Sequence, residues 1–389
     1  MKKKIGVIFG GKSVEHEISI ITAIQAIENM DRHKYDITPI YISKEGIWYT
    51  SNQFFNTDTF KDMSLIKKNA FNVHIVKENN EFYLKSIKSG LFTKSFSTKL
   101  DLVMPIVHGT SVEDGTLSGY FETIGIPYTG PTVTSGSIGQ DKAVMKDILK
   151  SNGISQTKFL WYYKSQEVEL IVKEVIDQLE LPVIVKPSTL GSSVAISVVH
   201  SKEELIAALE LAFDFCHKVV VEKLVSDFQE VNISVLGNYK NVILSKTELV
   251  AKDEDFLSYS DKYLSGSKTG KKVEQSSSGM ASLSRTIPAP VSKQVQKQIE
   301  EISKKAFRVL NCEGVIRIDL MIKDEVVYLN EVNNIPGSLS FYLWEATDLP
   351  YSELLDKIID LGISSYFEKE KTINSIGTNV LNMKGSKSK

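Results

Sequence analysis

The sequence of 389 residues lacks several features that would place it in a specialised class of protein. Its only two cysteines, Cys216 and Cys312, lie far apart without CxxC or histidine spacing, so neither a disulfide framework nor a zinc site is indicated. The 46 basic and 48 acidic residues nearly balance, which excludes the basic footprint of a nucleic-acid or membrane-surface protein. No apolar run approaches the roughly 20 residues that cross a bilayer. We therefore expect a cytoplasmic protein with no nucleic-acid or membrane partner.

Two common nucleotide-binding fingerprints are also missing, because the chain has neither a P-loop nor a GxGxxG motif. Its basic start is followed by a short apolar run that stops at Gly10-Gly11, which predicts a first strand rather than a signal peptide. The mostly polar residues from about Glu370 onward predict a frayed tail.

Helix and strand patterns alternate along a chain that is long enough for two or three domains, which predicts an α/β fold. In the first region, strands are predicted at 5–9 and 101–107, with a helix between them that carries Ile20, Ile24, Ile27 and Met30, and a boundary at 126–131. The middle region predicts helices at 142–151 and 202–213 and strands at 181–186 and 219–223. The last region opens with a predicted hairpin that joins 231–236 to 242–249 through Gly237-Asn238.

One internal stretch has the composition of a long loop. Residues 264–285 are rich in serine, glycine and lysine and contain few apolar side chains, so we expect them to lie outside any packed core.

The stretch 314–333 contains two apolar runs separated by a Lys-Asp-Glu turn. Because side chains alternate between the faces of a strand, Arg317 and Asp319 share one face, and Glu331 and Asn333 share one face of the next strand. Antiparallel pairing would gather all four. Their oxygen atoms suit Mg²⁺, which commonly combines one or two carboxylates with substrate phosphates. A structural salt-bridge cluster on an amphipathic hairpin explains the pattern equally well.

Three further segments carry polar residues at the ends of predicted strands. Lys186 is followed by a small-residue loop that includes Gly191 and Ser192, and such a loop can close its N–H groups on phosphate oxygens. A simple strand and turn is the alternative. The clusters at 10–17 and 108–115 follow predicted parallel strands, where open α/β sheets place their ligands. Each also has an ordinary structural explanation, since a glutamate at a helix start favours the helix dipole and a lone histidine is often part of the core.

Taken together and in this order, these segments resemble the D-alanine:D-alanine ligases of the ATP-grasp superfamily, from Ile5 to about Leu361. The matching motifs are Phe-Gly-Gly-Lys-Ser-Val-Glu-His-Glu-Ile-Ser, His-Gly-x-x-x-Glu-Asp-Gly, Ile-Pro-Tyr-Thr-Gly, Asp-Lys, Val-Lys-Pro, Gly-Ser-Ser, Val-Leu-Gly-Asn, Asp-Lys-Tyr, Arg-Ile-Asp and Asn-Glu-Val-Asn-Asn-x-Pro-Gly.

The resemblance implies a three-domain ATP-grasp fold of the α/β class, α+β in the ATP-grasp part, with a parallel-sheet N-terminal domain. The N-terminal domain would cover 1–131, the central ATP-grasp domain 132–226 and the C-terminal domain 227–369, with a closing loop at 255–286 and a flexible tail at 370–389. The implied reaction joins two D-alanines with ATP and Mg²⁺ (or Mn²⁺) through an acyl phosphate, for peptidoglycan precursor synthesis. The family also implies a homodimer.

The resemblance assigns roles to residues that match the family motifs. ATP would be bound by Lys142, Lys186, Glu222, Lys223, Leu224, Val225, Glu230 and Lys262, and the metal by Asp319, Glu331 and Asn333. The catalytic residues would be Glu17, Ser192, Tyr263, Arg317 and Gly337, in which Ser192 and Tyr263 tie the closing loop to the first domain through Glu17. The amino-acid substrates would contact Glu17, His108 and Tyr342.

The chain departs from the family pattern at three places. Tyr342 stands where the family commonly has a serine that receives the carboxylate of the second substrate, Ala195 stands where it often has glycine, and the insertion at 265–285 lengthens the closing loop. A different second substrate, such as D-serine, D-lactate or another amino acid, is therefore an alternative. An ATP-binding protein without ligase activity and a small-molecule kinase are the other two.

Overall fold

The computed structural model describes residues 2–87, 94–192, 194–250 and 285–373, without the side chains of residues 63, 65 and 67. Three β-sheets of seven, four and five strands organise these residues. They follow one another along the chain, and each lies inside one of the three predicted domains. Within the described residues, no helix combines the length and apolar character that a bilayer crossing requires.

The first sheet is mixed rather than fully parallel. Its strands are β1 (Lys3–Gly10), β2 (Tyr35–Ile42), β3 (Trp48–Thr50), β4 (Phe71–Glu78), β5 (Glu81–Ser86), β6 (Ser97–Leu100) and β7 (Leu102–Pro105), in the order β6-β5-β4-β3-β2-β1-β7. Only β2, β1 and β7 run parallel, while β2 to β6 pair antiparallel. The difference arises because Asn79 and Asn80, both at positive φ, close a tight turn between β4 and β5, and a two-residue turn forces antiparallel pairing.

The predicted first strand and helix are confirmed. The apolar side chains of β1 are fully buried, as expected for a central strand that is covered on both faces. Helix α1 (His16–Asn29) buries Ile20, Ile24 and Ile27 against this sheet. Helices α2 (Met63–Asn69) and α3 (Thr116–Ile124) complete this region.

The second sheet belongs to the middle region and is antiparallel throughout. It contains β8 (Phe159–Tyr163), β9 (Val183–Pro187), β10 (Ser197–Val199) and β11 (Lys218–Lys223), in the order β10-β9-β11-β8. The accompanying helices are α4 (Val133–Gln140), α5 (Lys142–Ser151), α6 (Val168–Leu179) and α7 (Lys202–Phe215). The predicted helix at 142–151 is confirmed with its limits, and α7 begins where predicted because the Ser201 side chain caps its first turn.

The third sheet is also antiparallel and contains the two predicted hairpins. Its strands are β12 (Gln229–Gly237), β13 (Val242–Val250), β14 (Arg285–Thr286), β15 (Gly314–Lys323) and β16 (Val326–Asn333), in the order β14-β13-β12-β15-β16. Helix α8 (Lys293–Val309) packs on its apolar face together with α5. The short helix α9 (Phe341–Glu345) packs on the other side, against β12 and β13.

The last described helix packs against the first sheet. Helix α10 (Tyr351–Glu370) buries Leu354, Leu355, Ile358 and Ile359 in the core of the first sheet. Its Asp356 also pairs with Lys34 at 2.6 Å. The end of the third region therefore stabilises the first sheet, which places the polar face of the third sheet next to the loops that follow β1 and β7.

Candidate functional site

The predicted hairpin at 314–333 brings its four polar residues together. Asp319 pairs across the sheet with Glu331, and Arg317 pairs with Asn333, as the strand alternation predicted. Arg317 donates to both carboxylate oxygens of Asp319 at 2.6 and 2.8 Å, and the Asn333 amide donates to Asp319 at 3.1 Å. Burial lowers the pKa of Arg317, but the Asp319 carboxylate outweighs it and raises that pKa well above its usual value.

The donor set of this hairpin fits a magnesium ion. Asp319, Glu331 and Asn333 supply two carboxylates and an amide on adjacent strands, and oxygen donors of this kind suit Mg²⁺. In the part of the chain that the structure describes, no group of three or more histidine, cysteine, aspartate or glutamate side chains is placed to hold a metal. An ion at this hairpin would therefore depend on the amide oxygen of Asn333 and on substrate oxygens to complete its coordination.

A β-bulge at Asn330 connects this hairpin to the second sheet. The pairing of β15 with β16 shifts between Asp319 and Leu320, so Asn330 is the extra residue. Bulges often redirect side chains beside active sites. Here the Asn330 side chain accepts a hydrogen bond from Lys186 at 3.4 Å, which places the predicted phosphate-binding lysine over the predicted metal ligands.

Lys186 also belongs to a buried charge cluster that sequence reasoning identified only in part. Glu222 pairs with Lys146 at 3.0 Å and with Lys186 at 2.9 Å, and it accepts a hydrogen bond from Thr157 at 2.7 Å. Burial alone would raise the pKa of Glu222, but the two ammonium groups hold it far below its usual range. Burial lowers the pKa of Lys146. Because Glu222 is used by these lysines, a contact with a nucleotide would come from its backbone.

The loop between β9 and β10 is held by the start of α5. Lys142 donates to the carbonyl of Leu190 at 2.6 Å, and Asp141 accepts from Ser188 at 2.6 Å and from Lys218 at 2.5 Å. The loop contains Ala195 at φ +54°, a conformation that glycine adopts without strain. This gives a physical reason why glycine is the usual residue at that position.

The segment between the second and third sheets contains the other predicted ATP-binding residues. Lys223 donates to the carbonyls of Glu180 and Leu181 at 3.2 and 3.3 Å, so its ammonium stays within the second sheet. Leu224 and Val225 follow β11 directly and are partly buried, and Glu230 lies at the start of β12. These residues form the connection between the second and third sheets.

Glu15, rather than Glu17, is the glutamate that meets Ser192. The Ser192 hydroxyl donates to Glu15 Oε1, whereas Glu17 pairs with Lys44 at 2.6 Å on an exposed surface. The predicted contact of Ser192 with Glu17 is therefore wrong. The two glutamates have different partners because they lie at the start of α1, where two residues correspond to about 200° of rotation around a helix. Their side chains therefore point in nearly opposite directions.

Two glycines make room for the Glu15 carboxylate. A Cβ atom on Gly191 would lie 2.8 Å from Glu15 Oε2, and one on Gly109 would lie 3.0 Å from the same atom. Gly191 belongs to the second region and Gly109 to the first, so Glu15 lies where the two regions meet. A side chain at either position would have to displace the Glu15 carboxylate from this place.

His108 and Glu113 form the buried wall beside Glu15. His108 lies 3.4 Å from the hydroxyl of Thr22, and burial lowers its pKa to about 4. Glu113 accepts from the N–H groups of Gly109 and Ile335 at 2.8 and 2.9 Å. Burial, reinforced by the charge of Glu15, raises the pKa of Glu113 to about 8. Glu113, which the sequence reasoning missed, thus ties the first region to the chain that follows β16.

The segment after Gly337 adopts an unusual conformation. Ser338, Leu339 and Ser340 all have φ close to +50°, and three successive left-handed residues other than glycine are costly. The N–H of Ser338 donates to Thr22 at 3.2 Å, which fixes the turn against α1. Such backbone strain persists only where the surrounding structure enforces it. The turn places Gly337 beside the first region, at the site.

Tyr342 is partly buried, and its hydroxyl belongs to a polar cluster. Its hydroxyl donates to Glu248 at 2.7 Å, and the Arg285 guanidinium carbon lies 4.2 Å from the centre of its ring. Burial, together with Glu248, raises the pKa of Tyr342, although Arg317 and Arg285 oppose the rise. Sequence reasoning identified Tyr342 but missed Glu248 and Arg285, which have no motif around them.

Two predicted residues, Lys262 and Tyr263, lie outside the described residues. Of the predicted closing loop at 255–286, only Arg285 and Thr286 are described, and they form β14. The residues that the structure adds to the predicted site are Glu15, Glu113, Lys146, Glu248 and Arg285. The sequence signal that could have found Lys146 is its helical spacing with Ala143 and Leu149, which puts a lysine on the buried face of α5.

Comparisons with known proteins identify one family over nearly the whole chain. The family model described as D-ala D-ala ligase N-terminus matches residues 4–131, and the one described as D-ala D-ala ligase C-terminus matches residues 148–360. The D-alanine–D-alanine ligase of Thermosipho melanesiensis is 39% identical over 383 residues, covering 98% of this chain and 99% of the relative. That of Thermosipho africanus is 37% identical over 384 residues, with coverage of 98% and 99%.

Solved structures of ligases superpose on most of this chain. A D-alanine-D-alanine ligase from Coxiella burnetii superposes with a TM-score of 0.77 at 29% identity, covering 95% of this chain and 96% of that one. The VanG D-Ala:D-Ser ligase from Enterococcus faecalis superposes with a TM-score of 0.75 at 32% identity, covering 93% and 100%. The Bacillus anthracis enzyme complexed with ATP gives a TM-score of 0.66 at 25% identity, covering 94% and 99%.

Proposed function

The chain belongs to the D-alanine–D-alanine ligase family and is an ATP-dependent ligase; from this premise we propose how its residues join two D-alanines for the synthesis of peptidoglycan precursors. ATP transfers its terminal phosphoryl group to the carboxylate of the first D-alanine, which gives an acyl phosphate and ADP. The amine of the second D-alanine attacks the acyl carbon, and phosphate leaves as the amide bond forms. The observation that carries the proposal is Arg317, whose side chain is 12% exposed and is held beside the magnesium-type donors of one hairpin.

The phosphoryl transfer depends on position and charge neutralisation. The side chain of Lys186 extends from the second sheet to Asn330 of the third, and Lys142 holds the loop that would close over the phosphates. Asp319, Glu331 and Asn333 would hold Mg²⁺ or Mn²⁺, which neutralises phosphate charge when bound. The bidentate pair with Asp319 holds the Arg317 guanidinium in a fixed orientation, so that it needs little reorganisation during the reaction.

The amide-forming step needs donors for the oxyanion that develops on the acyl carbon. Arg317 and the N–H of Gly337 are assigned this role, supported by the left-handed turn that fixes the chain after Gly337. Glu15 takes the role that the family resemblance assigned to Glu17, which is to hold the ammonium of the first D-alanine. Its support is the contact of Glu15 with Ser192 and the buried position of His108 nearby.

The assembly and cellular place of the enzyme form a further part of the proposal. The family resemblance suggests a homodimer that works in the cytoplasm, where ATP is available. Light scattering coupled to gel filtration tests the dimer, and a mass of one 43.5 kDa chain at assay concentration would contradict it.

The test of the function is turnover by the purified protein with ATP, Mg²⁺ and single or paired amino acids. We expect ADP release that requires D-alanine, together with the D-alanyl-D-alanine dipeptide identified by mass. D-Serine and D-lactate are included as second substrates, because Tyr342 replaces a serine and one similar structure is a D-Ala:D-Ser ligase. Turnover with another pair but none with D-alanine would refute the substrate assignment.

Two other outcomes would favour the alternatives from different functional classes. Nucleotide binding without substrate-dependent turnover would indicate an ATP-binding protein without ligase activity. A stable phosphorylated product without an amide would indicate a kinase.

A further inference from the structure

Arg285, Glu248 and Tyr342 form a compact polar cluster on the third sheet. Arg285 pairs with Glu248 at 3.2 Å, and its guanidinium lies over the face of the Tyr342 ring. Glu248 also accepts from the Tyr342 hydroxyl at 2.7 Å and from the Asn232 amide at 3.2 Å. These contacts hold Glu248 in place, and Glu248 in turn fixes one nitrogen of Arg285.

The stability of the fold does not by itself explain why this cluster contains an ion pair with little exposure to solvent. The side chain of Glu248 is 1% exposed and that of Arg285 is 10% exposed, and buried ion pairs are often no more stabilising than apolar residues of the same size. The chain has 46 basic residues but only four arginines. Two of these four, Arg285 and Arg317, lie on this sheet. A lysine-rich chain thus uses guanidinium groups here, and a planar guanidinium is suited to binding a carboxylate through two hydrogen bonds.

The sheet register places this cluster beside the reaction centre. Glu331, Asp319, Asn232 and Glu248 are consecutive partners across β16, β15, β12 and β13, so they form one row on one face of the sheet. Neighbouring strands are about 4.8 Å apart, which puts the backbone of Glu248 about 10 Å from that of Asp319. Arg317 acts electrostatically on the Tyr342 hydroxyl and opposes the rise of its pKa, so the two groups share one environment.

We propose that Arg285 binds the carboxylate of the second amino acid, with Glu248 and the Tyr342 ring holding the guanidinium in position. This inference rests on the proposed ligase function and assigns the specificity of its second substrate. Arg317 uses two nitrogens, Nε and Nη2, on the two oxygens of Asp319, so that edge of its planar fork is not offered to a second carboxylate. Arg285 gives Nη1 to Glu248, which leaves the Nε–Nη2 edge for the carboxylate of the acceptor. The Tyr342 hydroxyl is engaged with Glu248, so the tyrosine acts as a platform and does not donate to the substrate.

The assignment accounts for how the chain works without the usual serine. The serine would supply a neutral donor to the acceptor's carboxylate, and here the charged donor comes from the neighbouring strand β14. The amine of the acceptor then points back along the row toward Arg317 and the acyl phosphate. An acceptor without a carboxylate would lose this anchor.

The experiment is an internal competition between two acceptors. Purified enzyme is given ATP, Mg²⁺, D-alanine and D-alaninamide, and the ratio of D-alanyl-D-alanine to D-alanyl-D-alaninamide is measured by mass. Both acceptors attack the same acyl phosphate, so the product ratio does not depend on the fraction of active protein or on the first substrate. A variant that folds poorly therefore still gives an interpretable ratio.

The expected result is a change in that ratio with Arg285 variants above all. Arg285→Gln shifts the ratio at least tenfold toward D-alanyl-D-alaninamide. Arg285→Lys, which keeps the charge without the planar fork, gives a smaller shift. Arg308→Gln, on the exposed side of α8, is the matched control and keeps the wild-type ratio. Tyr342→Phe shifts the ratio less than Arg285→Gln does, because the ring remains.

Three outcomes would overturn the inference. An unchanged ratio in Arg285→Gln removes Arg285 from acceptor recognition, while wild-type dipeptide synthesis leaves the ligase function standing. A larger shift in Tyr342→Phe than in Arg285→Gln assigns the carboxylate to the tyrosine hydroxyl. Wild-type enzyme that makes neither product refutes the proposed function and this inference together.

Discussion

The Ser192 hydroxyl donates to the carboxylate of Glu15 across 177 positions of the chain, and this contact joins the loop after β9 to the start of α1. Glu17, two residues farther along, points to Lys44 instead. The contact with Ser192 therefore assigns Glu15, and not Glu17, to the site.

We expect Glu15→Gln to reduce turnover by about 100-fold or more, because a charge-assisted contact is lost at the substrate site. The matched control is Glu17→Gln, whose exposed pair with Lys44 contributes little. Steady-state ADP release at saturating ATP measures both variants. Equal losses in the two variants would assign the role to both glutamates, and a loss in Glu17→Gln alone would assign it to Glu17.

The metal assignment predicts a shift in magnesium dependence. Glu331→Gln removes one of two carboxylates from the donor set, and we expect the Mg²⁺ concentration for half-maximal activity to rise by about tenfold or more. Asp324→Asn, on the exposed turn of the same hairpin, is the control. Titration of activity with Mg²⁺ at fixed ATP gives the result, and a wild-type titration curve for Glu331→Gln would exclude this residue as a ligand.

The buried lysine cluster predicts a loss of stability. Lys146→Met leaves Glu222 with one ammonium partner instead of two, and breaking a buried pair in this way costs about 3 kcal/mol. The exposed Lys150→Met, one turn later on α5, should change the free energy of unfolding by less than about 0.5 kcal/mol. Chemical denaturation measures both. A cost that is no larger for Lys146→Met than for its control would contradict the prediction.

His108 predicts how stability depends on pH. Burial lowers its pKa to about 4 in the folded state, against about 6.5 in an unfolded chain. The unfolded state therefore binds the proton more readily, so this contribution is complete above about pH 6.5 and is lost as the pH falls toward 4. Between pH 7 and 4.5, wild type should lose more stability than His108→Gln, by up to about 3 kcal/mol. Parallel slopes of Tm against pH would show that His108 does not titrate in this way.

The left-handed turn predicts a stabilising substitution. Ser340 has φ +52°, and its buried hydroxyl has no hydrogen-bond partner among the described residues. Ser340→Gly removes both costs and adds only the entropy of glycine, for a net gain of about 1 kcal/mol. Ser338→Gly, with the same φ, tests the backbone effect alone. A lower Tm for Ser340→Gly would show that the packing of the serine side chain stabilises the turn.

Features that depend on short spacing follow directly from the amino-acid sequence. The alternation of Arg317, Asp319, Glu331 and Asn333 was sufficient to predict one polar face, because strand side chains alternate with a fixed period. The apolar spacing of α1 and the turn residues of the two hairpins were likewise sufficient to predict their elements. The ordered motifs were sufficient for the family, since many short matches in sequence are specific together.

Features that depend on distant parts of the chain emerge only in the folded molecule. Folding selects Glu15 over Glu17, pairs Lys146 with Glu222, and brings Arg285 and Glu248 to Tyr342. It also packs the C-terminal helix α10 on the first sheet. Local spacing can indicate that a residue such as Lys146 is buried, but it does not identify the partner in any of these contacts. Their free energy comes from burial and charge pairing between residues that only the folded chain brings within a few ångströms of each other.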